Sequence, residues 1–211
     1  MRFPIALSLL ALPAAALAQP PGGVFLSPMG EPFRSAEPTA DNAGRWFVAA
    51  DRDGDGALTP SELRDDALRF FASLDGDGDG EIEPAEIARY ENELVPEVQV
   101  GLQMRSAGVG DWRGRGSRRP RVPRYDEGIE GAGRYAFLNI PQPVIAADFD
   151  MNRGVSRAEF EQAAGQRFLL LDSNHDGRLV RAELPALPQP RLRKKRNDEE
   201  APPVWRRRSG Y

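Results

Sequence analysis

The chain has 211 residues, enough for one or two small domains, but only 40% are hydrophobic, and 21 glycines and 19 prolines leave much of it outside any core. Its 28 basic and 32 acidic residues give a formal net charge of −4, and the absence of cysteine excludes disulfides, lipid attachment at a cysteine and a thiol nucleophile. With one histidine, no zinc constellation and no phosphate-binding glycine loop, an enzyme is not expected.

Residues 1–18 open with the basic Met1-Arg2 and continue through an apolar, alanine-rich run at 5–17. Ala16-Leu17-Ala18 has the small-x-small form of a signal-peptidase site, so cleavage after Ala18 is expected, leaving Gln19 first. The run is short and carries Pro4 and Pro13, which argues against a membrane anchor, and no transmembrane span is expected in the mature chain. The style of this signal and the Ala/Arg-rich composition predict a bacterial protein that is periplasmic or secreted. Residues 19–38 are rich in Pro and Gly and read as a disordered segment.

Residues 39–96 form the first predicted structured unit. Ala43, Trp46, Phe47 and Ala50 make an apolar stripe at helical spacing. Two acidic twelve-residue segments follow, 51–62 (DRDGDGALTPSE) and 75–86 (DGDGDGEIEPAE). Between them Leu63, Ala67, Phe71 and Leu74 mark an amphipathic helix. Ile87, Tyr90 and Leu94 continue a helical face until Pro96 stops it.

Residues 97–138 read as a Gly/Arg-rich linker; the stretch 105–124 holds seven arginines and one acid, Asp111. The second predicted unit spans 139–186. Ile140-Pro141-Gln142-Pro143 leaves room for one short turn at 144–147 before the acidic segments 148–159 (DFDMNRGVSRAE) and 172–183 (DSNHDGRLVRAE). Phe160, Ala164, Phe168 and Leu171 repeat the amphipathic helix between them, and Pro185 limits the exit helix to a stub. Residues 187–211 form a basic tail, expected to be disordered, with Arg193-Lys194-Lys195-Arg196 and Arg206-Arg207-Arg208.

The four acidic segments place oxygen donors at the same offsets. Positions 1, 3, 5 and 12 are Asp51, Asp53, Asp55 and Glu62 in the first, and Asp75, Asp77, Asp79 and Glu86 in the second. They are Asp148, Asp150, Asn152 and Glu159 in the third, and Asp172, Asn174, Asp176 and Glu183 in the fourth. Ala57, Glu81, Gly154 and Arg178 at position 7 offer backbone carbonyls. Thr59, Glu83 and Ser156 at position 9 can add a side-chain oxygen, whereas Val180 would leave that place to water. Position 6 is Gly56, Gly80 and Gly177 in three segments but Arg153 in the third. A hard cation takes several oxygens at once, and carboxylates supply both donor and charge.

This pattern resembles the EF-hand superfamily, four times over. The resemblance implies calcium as the ligand, a bidentate glutamate at position 12, and a short strand at the apolar position 8, which is Leu58, Ile82, Val155 and Leu179 here. Counting carboxylates at positions 1, 3, 5, 9 and 12, the second loop and then the first should bind most tightly. The fourth and third follow. Holding Arg153 left-handed costs about 1–2 kcal/mol, so the third loop should be weak or empty.

The loops of each half start 24 residues apart, at 51 and 75 and at 148 and 172. Twelve residues of helix span about 18 Å, too little for two helices and a turn. The predicted fold is therefore all-α: two duplicated EF-hand units, each with two calcium loops at opposite ends of a shared short helix, joined by a disordered basic linker. Loops so placed should pair across the halves, first with fourth and second with third. The short spacing is also similar to that of the lanmodulin family of periplasmic lanthanide binders. That family carries proline at loop position 2, where this chain has Arg52, Gly76, Phe149 and Ser173, which argues against lanthanide selectivity.

The expected function is that of an exported calcium-binding protein, a periplasmic calcium sensor or buffer. The alternative is a metal-stabilised structural or interaction protein. Its basic linker and tail would meet an anionic envelope surface (phospholipid, lipopolysaccharide) or an acidic protein. Nucleic acid is not expected as a partner outside the cytoplasm. His175, at position 4 of the fourth loop, reads as a solvent-facing residue.

Overall fold

A computed structural model describes residues 23–37, 40–99 and 128–188. The predicted signal peptide at 1–18, the arginine-rich stretch at 105–124 and the tail from 189 onward lie outside the described residues. The described chain is helix-rich. Among the described residues no helix is long and apolar enough to cross a membrane.

Helix α1 (Asn42–Ala50) starts where the Asp41 side chain accepts the Gly44 amide and buries Trp46, Phe47 and Ala50. Helix α2 (Pro60–Leu74) is begun by a capping box: Thr59 Oγ1 accepts the Glu62 amide while Glu62 accepts the Thr59 amide, and Pro60 occupies the first turn without wasting a donor. Leu63, Ala67, Phe71 and Leu74 are all buried, as their spacing predicts, and Phe70 joins them. Helix α3 (Pro84–Arg89) runs into a π-turn at Tyr90–Leu94. Helix α4 (Arg157–Leu171) repeats the capping box with Ser156 and Glu159 and buries Phe160, Ala164, Phe168 and Leu171. Helices α2 and α4 pack on each other, with Phe160 5.6 Å from Phe71 and 6.4 Å from Phe70 between ring centroids.

The acidic loops sit at the ends of these two helices, too far along the helix to meet within one half. Strand β3 (Ala57–Leu58) instead pairs antiparallel with β6 (Leu179–Val180), and β4 (Glu81–Ile82) with β5 (Val155–Ser156). The first loop thus meets the fourth and the second meets the third, the arrangement expected from helix length. Leu58 faces Leu179 over one apolar cluster with Trp46, Phe47, Leu63 and Phe168. Ile82 faces Val155 over the other, with Phe70, Phe71, Tyr90 and Phe160. Each cluster draws on both halves of the chain. Burying one such aromatic or branched side chain is worth about 1.5–3 kcal/mol.

Two expectations of disorder are corrected. Residues 23–37, within the segment 19–38, form a hairpin in which β1 (Val24–Leu26) pairs with β2 (Pro32–Arg34). Phe25 lies 5.8 Å from Trp46 and 5.0 Å from Phe137, ring to ring, and Leu26 and Met29 are buried. The strands are too short for a periodic signal, and aromatic burial orders a stretch that Pro and Gly alone would leave loose. Residues 97–99 and 128–138, within the predicted linker 97–138, are also packed: Val98, Ala132 and Ala136 are buried, and the Tyr135 carbonyl accepts the Leu26 amide at 2.9 Å.

Before the third loop the chain makes only a 3-10 turn at Ile145–Ala147, and the fourth loop ends in one at Arg181–Glu183, the short turn and stub expected from the prolines. Arg167 of α4 is buried and donates to the carbonyls of Pro28 at 3.0 Å and Pro143 at 2.6 Å, fastening the hairpin turn to the approach to the third loop. Burial pulls its pKa down to about 10, so the side chain stays charged at neutral pH.

Candidate metal centres

Each loop is wound by its own carboxylates. The position-1 aspartate accepts the amide of position 6 in all four: Gly56 to Asp51 and Gly80 to Asp75 at 3.0 Å, Arg153 to Asp148 at 3.1 Å, and Gly177 to Asp172 at 3.0 Å. The side chain at position 5 accepts the amide of position 7 at 2.9 Å or less: Asp55 from Ala57, Asp79 from Glu81, Asn152 from Gly154 and Asp176 from Arg178. In the first three loops the other oxygen of the position-1 aspartate accepts a second amide, that of Gly54, Gly78 or Asn152, and together these bonds bring the chain round in a tight coil.

The coil brings the position-12 glutamate back onto the loop's start. Glu62 Oε1 accepts the Arg52 amide at 3.0 Å, Glu86 Oε1 that of Gly76, and Glu159 Oε1 that of Phe149 at 3.0 Å. Oxygens of Asp51, Asp53 and Glu62 lie within 4.8 Å of one another, as do those of Asp75, Asp77 and Glu86 and those of Asp148, Asp150 and Glu159. In the fourth loop Asp172 Oδ1 and Glu183 Oε1 are buried without a hydrogen-bond partner, two oxygens turned away from both water and backbone. Such groups are costly to bury unless something pairs with them.

Electrostatics favours a cation in these loops. The charges of Asp79 and Asp77 raise the Glu83 carboxyl above its ordinary range, the mark of crowded like charges. The Thr59 amide holds Glu62 below its ordinary range, with the Thr59 hydroxyl and the Arg52 and Asp53 amides adding to it. Burial pushes Glu159 up, but hydrogen bonds from the Ser156 hydroxyl and amide and from the Asp150 and Phe149 amides outweigh it and hold it low. An all-oxygen, multiply charged donor set of this kind fits a hard divalent cation.

The sequence reading missed two things. The hydroxyls of Thr59 and Ser156, expected as position-9 ligands, serve as helix caps and donate to the position-12 glutamates at 2.8 and 2.7 Å. Position 4 is left-handed in every loop, at Gly54 (φ 71°), Gly78 (φ 77°), Met151 (φ 61°) and His175 (φ 59°). The paired glycines of the first two loops were the available signal. The third loop therefore holds two side-chain-bearing residues left-handed, Met151 and Arg153 (φ 80°); the fourth holds one and the first two none. His175 is exposed, as expected.

The EF hand family model matches residues 44–65 and 69–89, which contain the first loop and the second. No curated protein and no solved structure matches the chain. The third and fourth loops lie outside the matched residues and carry the same oxygen positions and position-6 hydrogen bonds. Residues 44–65 and 69–89, which hold the first two loops, are thus two EF hands by this match.

Proposed function

We propose that this is an exported calcium-binding protein, a periplasmic calcium buffer or sensor with two duplicated EF-hand units. Asp51, Asp53, Asp55, the Ala57 carbonyl and Glu62 would hold calcium in the first loop, and Asp75, Asp77, Asp79, the Glu81 carbonyl and Glu86 in the second. Asp148, Asp150, Asn152, the Gly154 carbonyl and Glu159 would do so in the third, and Asp172, Asn174, Asp176, the Arg178 carbonyl and Glu183 in the fourth. The observation that carries this reading is the convergence of position 1, 3 and 12 carboxylates within 4.8 Å in three loops. The order of filling, second and first before fourth and third, is supported by ligand charge and by the left-handed residues of the weaker loops.

In the first three loops the position-12 glutamate already faces the loop start, so the helix that carries it need not swing in to close the site. A sensor instead opens a groove, often methionine-rich. Among the described residues Met29 is buried and Met151 is the one exposed methionine. These points favour the buffer. Export rests on the pattern of residues 1–18, and outside the cytoplasm calcium is abundant enough for modest affinity to suffice.

A second reading, a metal-stabilised interaction protein, draws support from the ladders: Leu58, Leu179, Ile82 and Val155 are core residues, so a slackened loop would disturb the core. Its basic segments would then meet an anionic envelope partner. Calorimetric titration of the metal-stripped mature protein with calcium, with circular dichroism on the same samples, separates the two. Heat at two or more sites on a folded baseline supports the buffer or sensor. Gain of helix from a largely unfolded baseline supports the metal-stabilised scaffold. Absence of calcium binding at physiological salt overturns both and calls for a lanthanide titration.

A further inference from the structure

In each loop pair the position-7 side chain of one loop reaches over the other. The ladder pairs Ala57 with Val180 and Leu58 with Leu179, which sets Arg178 opposite Thr59 at the edge of the first loop. The Arg178 guanidinium donates to Asp55 Oδ2 at 2.5 Å, while Asp55 Oδ1 accepts the Ala57 amide. Both oxygens of a position-5 ligand are therefore engaged, one of them by a cation from the partner loop. In the other pair Glu81 stands opposite Ser156, and its carboxylate fills the space beside Gly154, where a Cβ would collide with it. Gly154, the position-7 residue beside the Glu81 carboxylate, has no side chain to meet it.

The two intrusions carry opposite charge. The cation lies over the first loop, which has four acidic residues at positions 1, 3, 5 and 12; the anion lies over the third, which has three. We propose that the position-7 side chain sets the calcium affinity of the opposite loop. Arg178 weakens the first loop by competing with the metal for Asp55, and Glu81 strengthens the third by adding negative charge beside it. The pairing brings the four affinities closer than their own ligand sets would. It also links the loops of a pair, because metal entering the first loop must release an arginine whose backbone carbonyl serves the fourth. This inference rests on the proposed calcium function and concerns the distribution of affinity among the loops.

The test uses the full mature chain labelled with nitrogen-15 and titrated with calcium. The position-6 amides, each bonded to its own loop's first aspartate, report the loops separately: Gly56 for the first and Arg153 for the third. In Arg178→Gln and in Arg178→Ala the Gly56 midpoint should move to lower calcium by about two- to fivefold, the range of an exposed ion pair. In Glu81→Gln the Arg153 midpoint should move to higher calcium by a similar factor. Arg178 is exposed and Glu81 half-buried, and circular dichroism verifies that the variants fold. A Gly56 midpoint that stays put or rises without Arg178, or an Arg153 midpoint unmoved without Glu81, overturns the inference while leaving calcium binding intact. A wild-type spectrum that ignores calcium overturns the proposed function and this inference with it.

Discussion

Trp46 of α1 donates its indole N–H to Asp66 of α2 at 3.0 Å, deep in the core beneath the first loop. Asp66 in turn accepts from Arg69 at 2.7 Å, and Arg69 reaches Glu31 at 2.9 Å on the N-terminal hairpin. One buried carboxylate therefore joins the helix that enters the first loop, the helix that leaves it and the hairpin beside them. Replacing Asp66 with alanine leaves a buried indole donor without its acceptor and Arg69 without one of its two carboxylates. The metal-free protein should lose about 1–3 kcal/mol, read as a lower denaturant midpoint at unchanged slope. Glu31→Gln, at the outer end of the chain of contacts, should cost about 1 kcal/mol or less.

The third loop should improve when its strain is removed. Met151 and Arg153 hold left-handed backbone at φ 61° and 80°, each at about 1–2 kcal/mol. Met151→Gly and Arg153→Gly relieve that cost in the wound loop, although part of the gain is offset by the greater freedom of glycine in the unfolded chain. Each change should tighten calcium binding at this loop by about threefold to tenfold, and both together by more. A calcium titration followed at the Gly154 or Val155 amide reads the effect. An unchanged midpoint would mean that the loop's affinity is limited by its charge and not by its backbone.

Much of this architecture is readable in the sequence because the constraint is local and repeated. A ligand oxygen must fall at a fixed offset, so Asp51, Asp53, Asp55 and Glu62 announce their loop without any knowledge of the rest. Helix length then dictates which loops pair, because residues 63–74 cannot hold two helices. The hairpin is a different case. Phe25 gains its place from Trp46 and Phe137, outside the hairpin, Phe33 lies against Phe25, and nothing in VFLSPMGEPFR distinguishes it from a flexible leader. The roles of Thr59 and Ser156 were also hidden, because a hydroxyl at position 9 can ligate or cap with equal ease, and only the geometry of Glu62 and Glu159 decides for the cap.

The position-12 glutamates should behave as the closing ligand of each loop and also as helix caps. Glu86→Gln removes one charge and the bidentate grip, so the second loop should drop out of the calcium stoichiometry measured by calorimetry. Glu62→Gln should do the same at the first loop. The family of loops predicts a loss of one site per substitution, with the remaining sites still filling.

The Glu62 carboxyl also predicts a pH dependence of the metal-free protein. Hydrogen bonds from the Thr59 amide first, then from the Thr59 hydroxyl and the Arg52 and Asp53 amides, hold its pKa below the ordinary glutamate value. A group depressed in the folded state contributes stability that is fully present above the unfolded pKa. That contribution is lost as pH falls through the folded one. Stability should therefore decline on acidification below the ordinary glutamate range. Glu62→Gln, which keeps the shape without the charge, should start lower at neutral pH and decline less steeply. Thermal unfolding of both proteins across the acidic range, in the presence of chelator, makes the comparison; parallel profiles would remove Glu62 as a contributor.

Gly30 tests whether the hairpin is an integral part of the fold. Its backbone sits at φ 97°, its carbonyl accepts the buried Tyr90 hydroxyl at 2.9 Å, and a Cβ there would press on that hydroxyl and on the Pro143 ring. Tyr90 is fully buried, and burial pushes its hydroxyl pKa well above the ordinary range, so the group has no route to solvent as a substitute partner. Gly30→Ala combines left-handed strain with overpacking at a three-way contact between the hairpin turn, the π-turn after α3 and the approach to the third loop. The loss should be about 2–4 kcal/mol. Tyr90→Phe, which removes the hydrogen bond while keeping the ring, should cost about 1 kcal/mol. Joining the two changes should cost less than their sum, because the hydroxyl that the added methyl group would strike is then gone. Denaturant unfolding of the two single variants and the double variant measures that coupling directly. Strict additivity would mean that the hairpin turn and Tyr90 are not in contact.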